Sequence, residues 1–134
     1  GDLGVDLEDL APIREGIADR VLRPEEVELI AGLPEDRRWI ATVVRFSLKE
    51  AVYKALAPRL QRYIGFSEAS VLLRTDGQAA VELHLESGPT PAEIDARFTW
   101  NTLIFMYIYN DAACIRIHYF TTTLSNDSYT RIFR

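Results

Sequence analysis

Two acidic residues stand two apart near the start of the chain, in Gly4-Val5-Asp6-Leu7-Glu8. On a strand, side chains two apart leave the same face, about 7 Å apart at the backbone. Two carboxylates so placed can grip one hard cation, and Mg²⁺ takes oxygen ligands in octahedral geometry, combining a few carboxylates with waters and phosphates. Glu50 is the third acid that such a site asks for. Gly4, on the same strand face, leaves room for a ligand to approach the backbone. A lone Asp-x-Glu is equally the solvent side of an edge strand, so the pair carries weight only in combination.

Lysine usage supplies a partner for these acids. Thirteen of the fifteen basic residues are Arg, and the only two Lys lie five apart, at Lys49 and Lys54. Two occurrences can be chance; the functional reading is that a compact ammonium on a flexible stem is needed to meet a phosphate oxygen as a point charge. On a helix wheel of about 100° per residue, Phe46, Lys49, Glu50, Tyr53 and Lys54 fall within one arc of about 140°. Val44, Leu48, Ala51, Val52 and Ala55 form the opposing apolar stripe, the expected core face.

The elements that must position these residues follow from periodicity. Residues 2 to 8 alternate strictly, predicting a strand with Leu3, Val5 and Leu7 on its buried side. Leu10, Ile13, Ile17 and Val21 recur at helical spacing, with Asp9 as N-cap. Arg23-Pro24-Glu25-Glu26 opens a short second helix running to about Ala31, where Gly32 stops it. Pro34-Glu35-Asp36 begins the longest helix, predicted to reach about Leu56 and to end near Pro58. Segments 69–74 and 79–86 read as strands of a hairpin around Asp76-Gly77. His84 and His118 alternate with charged residues and read as solvated strand positions. Residues 87 to 97 are a Pro-rich linker running into Ala92 to Arg97.

The tail differs in kind. The last 34 residues contain no Gly, Pro, Lys or Glu, yet hold seven of the fourteen aromatic residues. Thr102 to Tyr109 and Ala112 to Phe120 can pair around Asn110-Asp111, so residues 101–134 are either the closing strands of the sheet or an aberrant extension such as a frameshifted read-through.

With 134 residues, 48% of them hydrophobic and 26% charged, the chain suits one domain. Its longest apolar run, Leu103 to Tyr109, is far short of a bilayer span, so no membrane is expected. Cys114 is the only thiol, and with no leader-like segment a cytoplasmic location is expected. The Asn126-Asp127-Ser128 sequon is then chance. A net charge of -5 argues against nucleic acid, although it hides an asymmetry. Residues 1 to 36 carry eleven acids against Arg14, Arg20 and Arg23, whereas residues 37 to 62 carry seven bases against Glu50 alone. Either two solvated faces pair with each other, or metal-binding acids meet phosphate-binding bases in one site.

Gly4-Val5-Asp6-Leu7-Glu8 followed by Phe46-Ser47-Leu48-Lys49-Glu50-Ala51-Val52-Tyr53-Lys54 resembles the paired signature of the 4′-phosphopantetheinyl transferases, a G-[VI]-D-x-E strand and a [WF]-x-x-K-E-[AS]-x-x-K helix. Gly65-Phe66 and the following hairpin fit as well. Phe46 in place of Trp, with Ser47 and the Val-Tyr-Lys ending, is most similar to the two-half class and its enterobactin-synthase component D branch. The resemblance covers about residues 1 to 100. It implies transfer of the phosphopantetheine arm of coenzyme A to a serine of an acyl, peptidyl or aryl carrier protein, with release of adenosine 3′,5′-bisphosphate. It further implies Mg²⁺ held by Asp6, Glu8 and Glu50, with Glu50 also helping to deprotonate the serine and Lys54 meeting the phosphate that takes up charge. Lys49 would join the phosphate or structural network of that face. The basic stretch from Arg37 to Arg62, Arg45 included, would suit the phosphates of coenzyme A and the acidic helix of a carrier protein.

The implied fold is α+β, a phosphopantetheinyl transferase-like half-domain with a small antiparallel sheet packed against the long helix, whose Val44, Leu48 and Val52 meet Val5, Val71 and Val81. Members of this branch have two pseudo-symmetric halves, and residues 1–100 correspond to the C-terminal one. Self-association through an exposed half-interface is therefore expected. A non-catalytic remnant that binds coenzyme A or a carrier protein is the alternative; a nuclease-like metal phosphodiesterase fits the acidic surface poorly.

Overall fold

Strand β1 forms over Leu3–Asp9, where the alternation predicted it. The computed structural model describes residues 3–9, 14–90, 93–98, 103–111 and 114–116. After β1 come helices α1 (Ile17–Val21), α2 (Pro24–Ile30) and α3 (Glu35–Leu60), then a short 3-10 turn at Phe66–Glu68. Strands β2 (Ala69–Leu73), β3 (Gln78–Leu83), β4 (Glu93–Phe98), β5 (Leu103–Asp111) and β6 (Cys114–Arg116) complete the order. Pro24 occupies the first turn of α2, and Glu26 reaches back to the Arg23 N–H at 2.8 Å, capping an N-terminus that a fixed proline φ pre-organises.

The six strands form one sheet in the order β1-β5-β6-β4-β3-β2, with β5 also touching β4. Every pairing is antiparallel except β4 with β6, so the expected α+β layering stands with one parallel contact added. β2 and β3 turn back through Asp76-Gly77, where Gly77 has φ 83 and Asp76 Oδ1 accepts the Gln78 N–H at 2.9 Å, a conformation that glycine adopts without strain. β5 pairs with β1 along seven residues, Leu3 opposite Tyr109 through Asp9 opposite Leu103. Residues 117–134, with His118, lie outside the described residues.

One face of the sheet carries α3. Its predicted stripe of Val44, Leu48, Ala51, Val52 and Ala55 is buried in full and meets Ile64, Val71, Leu73, Ala79, Ala96 and Phe98. Each Val, Leu, Ile or Phe among them contributes about 1.5–3 kcal/mol by leaving water.

Four expectations need correcting. Asp9 ends β1 and is no N-cap; α1 is only five residues long and starts after Gly16, whose φ is 74. Residues 10–13, with Leu10 and Ile13, lie outside the described residues. Pro58 does not end α3, which runs to Leu60 and closes on Gln61 with the Gln61 N–H donating to Ala57 O at 2.8 Å. A proline in the last turn forfeits only its own N–H bond, so the helix survives there. Most consequential, β1 turns its polar side to α3: Gly4 and Asp6 are buried, whereas Leu3 is 49% exposed and Val5 stands outside the core cluster. A Cβ on Gly4 would lie 1.8 Å from the Ala51 carbonyl oxygen. Gly4 therefore admits the backbone of α3, and the ligand approach expected there does not occur.

Candidate functional site

Burying the polar face of β1 against α3 brings an acidic residue into a helix–strand seam, which is the candidate site. Asp6 is 7% exposed. Its Oδ1 accepts from Lys54 Nζ at 2.7 Å and its Oδ2 from Ser47 Oγ at 2.7 Å. Both partners come from α3, seven residues apart, which is nearly two full turns and so one face. Glu8, one strand repeat on, accepts from Arg14 Nη2 at 3.1 Å.

Glu50 lies on the same side of α3, and charge records its proximity to the strand acids. Partial burial pushes the Glu50 carboxyl up first, then the negative charge of Asp6, with Lys54 opposing and Glu8 adding to the rise. Glu8 is raised in the same way, by burial and then by Asp6, with Arg14 opposing. Three carboxylates that repel one another in a partly dry seam are the donor chemistry that a hard cation suits, because one divalent charge relieves all three. As the side chains stand, no three acid, His or Cys groups among the described residues converge on one point. Asp6 and Glu8 are instead neutralised by Lys54 and Arg14.

An aromatic wall flanks the acids. The Arg14 guanidinium lies 5.3 Å from the Phe46 ring centroid and 6.0 Å from that of Trp39, within cation–π range. Phe46 in turn packs on Phe66 with centroids 5.4 Å apart. Beyond Arg14 opens an apolar cleft of about 370 Å³ between α1, α2 and α3, lined by Ile17, Leu22, Val27, Ile30 and Trp39.

Two residues expected at the site are elsewhere. Lys49 is buried and donates to Glu26 Oε2 at 2.6 Å, Val21 O at 2.6 Å and Phe66 O at 3.2 Å. Arg45 is also buried, donating from Nε to Val71 O at 3.2 Å and from Nη1 to Ala41 O at 3.1 Å. Both ammonium and guanidinium are lowered from their usual basicity, chiefly by burial. The physical reason lies at the sheet edge. β2 is an edge strand, and Val71 points its N–H and C=O away from β3; Glu26 Oε1 accepts the former at 2.6 Å and Arg45 caps the latter. These charged side chains close an edge that would otherwise pair with another chain. An arc of about 140° is wide enough to enter two environments, with Lys54 at one limit and Lys49 at the other.

Sequence reasoning missed Ser47 and Arg14. Ser47, Glu50 and Lys54 share the spacing i, i+3, i+7, which could have singled out Ser47. Arg14 carries no such signal, since its approach to Glu8 depends on the path of the chain between them. His84 falls just beyond β3, and its Nε2 lies 3.1 Å from Ser70 Oγ.

Comparison with known proteins places the chain in a defined class. The chain matches the 4′-phosphopantetheinyl transferase superfamily over residues 2–103. It is 31% identical over 86 residues to the 4′-phosphopantetheinyl transferase Npt of Nocardia iowensis, covering 58% of this chain and 34% of that protein. With the holo-[acyl-carrier-protein] synthase of Limosilactobacillus fermentum it shares 29% identity over 98 residues, 69% of this chain and 82% of that one. The crystal structure of Thermotoga maritima holo-[acyl-carrier-protein] synthase superimposes with a TM-score of 0.61 at 21% identity, covering 79% of this chain and 60% of that chain, and shares the fold. The chain therefore belongs to the 4′-phosphopantetheinyl transferase superfamily. It spans about a third of the length of the Nocardia relative. No helix among the described residues is long and apolar enough to cross a membrane.

Proposed function

We propose that the chain derives from, and carries the metal-and-base seam of, an enzyme that moves the 4′-phosphopantetheine arm of coenzyme A onto a carrier-protein serine. The observation that carries this reading is that two motifs inside the family-matched segment put Asp6, bonded to Lys54, close enough to Glu50 for Asp6, Glu8 and Lys54 to act on its carboxyl. The serine oxygen forms a bond to the phosphorus next to the pantetheine arm, and the bond from that phosphorus to the bridging pyrophosphate oxygen breaks. Adenosine 3′,5′-bisphosphate leaves with the bridging oxygen.

Asp6, Glu8 and Glu50 are the residues that would hold Mg²⁺, which supplies charge neutralisation on the pyrophosphate. Holding it requires Asp6 and Glu8 to exchange Lys54 and Arg14 for the ion. Glu50, with a carboxyl raised by burial and by Asp6, suits acceptance of the serine proton, directly or through water. Lys54, 47% exposed, is free to swing to the phosphate that gains charge, where a point charge counts most. Since Lys49 and Arg45 are buried, the phosphates of coenzyme A fall to Lys54 and the exposed arginines of the basic stretch.

The two-half class, with this chain as the C-terminal half, fits the short coverage of the Nocardia relative. The enterobactin-synthase component D branch rests on the wording around Phe46 and Tyr53, and implies a siderophore or nonribosomal-peptide carrier protein in the cytoplasm. Self-association through the face that a first half would cover belongs to the same reading; light scattering that gave only monomer would count against it. The second reading, a remnant that binds coenzyme A or a carrier protein without turnover, is favoured by the ion pairs that Lys54 and Arg14 make with Asp6 and Glu8.

Calorimetric titration with coenzyme A, with and without Mg²⁺, tests the proposal. Magnesium-dependent binding is expected. Transfer from labelled coenzyme A to a carrier protein then separates enzyme from remnant, and absence of any binding refutes a self-sufficient site.

A further inference from the structure

Glu26 and Lys49 form an ion pair at 2.6 Å with both side chains 1% exposed, and the chemistry above uses neither. Each bond of the pair is directional. The three ammonium protons of Lys49 meet three acceptors, on Glu26, on the last turn of α1 at Val21 and on Phe66. Glu26 Oε2 also accepts the Arg23 N–H at 2.8 Å and Oε1 the Val71 N–H at 2.6 Å. One pair thus joins α1, α2, α3, the 3-10 turn and β2.

Stability alone does not call for such a pair, since well-packed apolar residues of similar volume are often as stabilising or more so. What apolar residues cannot do is hold particular carbonyls at particular places. Lys49 holds the Phe66 carbonyl, the Phe66 ring lies on Phe46, Phe46 lies under Arg14, and Arg14 holds Glu8. Along the chain, Lys49 is followed directly by Glu50. Contacts thus lead from the pair to Glu8, and the helix backbone leads from Lys49 directly to Glu50.

We propose that Glu26 and Lys49 are positioning residues that set Glu8 and Glu50 relative to one another from outside the site. The inference rests on the metal-binding reading of those acids. It assigns the first Lys of the Lys-Glu motif to alignment of the acids, with no contact to substrate.

The test compares the full chain with Glu26→Leu/Lys49→Met, an apolar pair of similar size, and with the milder Glu26→Gln, which keeps the shape but loosens the hold on Lys49. Mg²⁺ dissociation constants are measured by calorimetry at a temperature where circular dichroism shows each protein fully folded. A merely structural role would move the melting temperature and leave the affinity of the folded protein unchanged. The expected result is a double variant that melts below the parent, because the Val71 N–H and the Val21 and Phe66 carbonyls lose their partners, and that in its folded state binds Mg²⁺ about tenfold more weakly, the scale of outer-shell substitutions at metal sites, with Glu26→Gln in between. Undiminished affinity in both variants overturns the proposal. If the parent chain itself binds no Mg²⁺, the metal-binding reading has failed, and the positioning role falls with it.

Discussion

Replacing Gly4 by Ala drives a methyl group into the backbone of α3. The new Cβ would lie 1.8 Å from the Ala51 carbonyl oxygen and 2.8 Å from the Ala55 nitrogen. Carbon–oxygen contacts of this kind settle at about 3.3 Å, so strand and helix must part by about 1.5 Å. Both neighbours are backbone atoms, and no flexible side chain can step aside. Overpacking a tight interior costs about 1–3 kcal/mol, and a backbone clash belongs at the upper end. At about 4 °C per kcal/mol for a chain of this size, the melting temperature should fall by about 10 °C. The same movement carries Asp6 away from α3, stretching its 2.7 Å bonds from Lys54 and Ser47 beyond hydrogen-bond length, about 3.2 Å at most, and Mg²⁺ binding should weaken as well because Asp6 is drawn away from Glu50. The sign is informative, because Gly→Ala at an unstrained open site stabilises by about 0.4–1 kcal/mol through the unfolded chain. A thermal melt followed by circular dichroism, with calorimetric titration of Mg²⁺, decides the matter. An unchanged or raised midpoint with undiminished binding would refute the close approach of β1 to α3.

Three further outcomes are expected. Glu50→Gln should abolish phosphopantetheine transfer and weaken Mg²⁺ binding while the circular dichroism spectrum is kept, and Lys54→Met should abolish transfer yet tighten Mg²⁺ binding about fivefold, since it removes a half-exposed ion pair worth about 1 kcal/mol from Asp6; loss of fold in either would place these side chains in the core. Arg45→Met leaves the Val71 carbonyl without its donor and should cost about 1–3 kcal/mol of stability in urea denaturation with coenzyme A affinity unaltered, whereas a selective loss of affinity would restore Arg45 to the binding surface. Glu68, held down to about 2 chiefly by its bidentate hydrogen bonds from Arg62 at 2.9 and 2.6 Å, binds fewer protons in the fold than in the unfolded chain, where its value is 4.5. Its contribution is thus complete above the unfolded value and lost as pH falls through the folded one, so the stability gap between parent and Glu68→Gln should close from about pH 4.5 down to about pH 2; a gap that persists at pH 2 would contradict the Arg62 assignment.

Local periodicity and punctuation were enough for most of the elements, and motif wording singled out the proposed site residues. Strict alternation marked β1, Pro24 and Gly32 bounded α2, Asp76-Gly77 marked the hairpin, and the apolar stripe of α3 is buried residue for residue. Asp6, Glu8, Glu50 and Lys54 were legible because their spacings, two on a strand and four on a helix, fix a shared face whatever surrounds them. Tertiary structure alone decided which side of β1 is buried. Alternation sorts side chains into two faces without saying which one a neighbour covers, and here Gly4 and Ala51 let the backbones come close enough to bury the polar one. It also decided the fates of Lys49 and Arg45, because a helix wheel knows nothing of the sheet edge whose C=O Arg45 caps and whose N–H is met by Glu26, the carboxylate that Lys49 holds. Arg14 meets Glu8 in the folded chain, a contact that no regular spacing encodes.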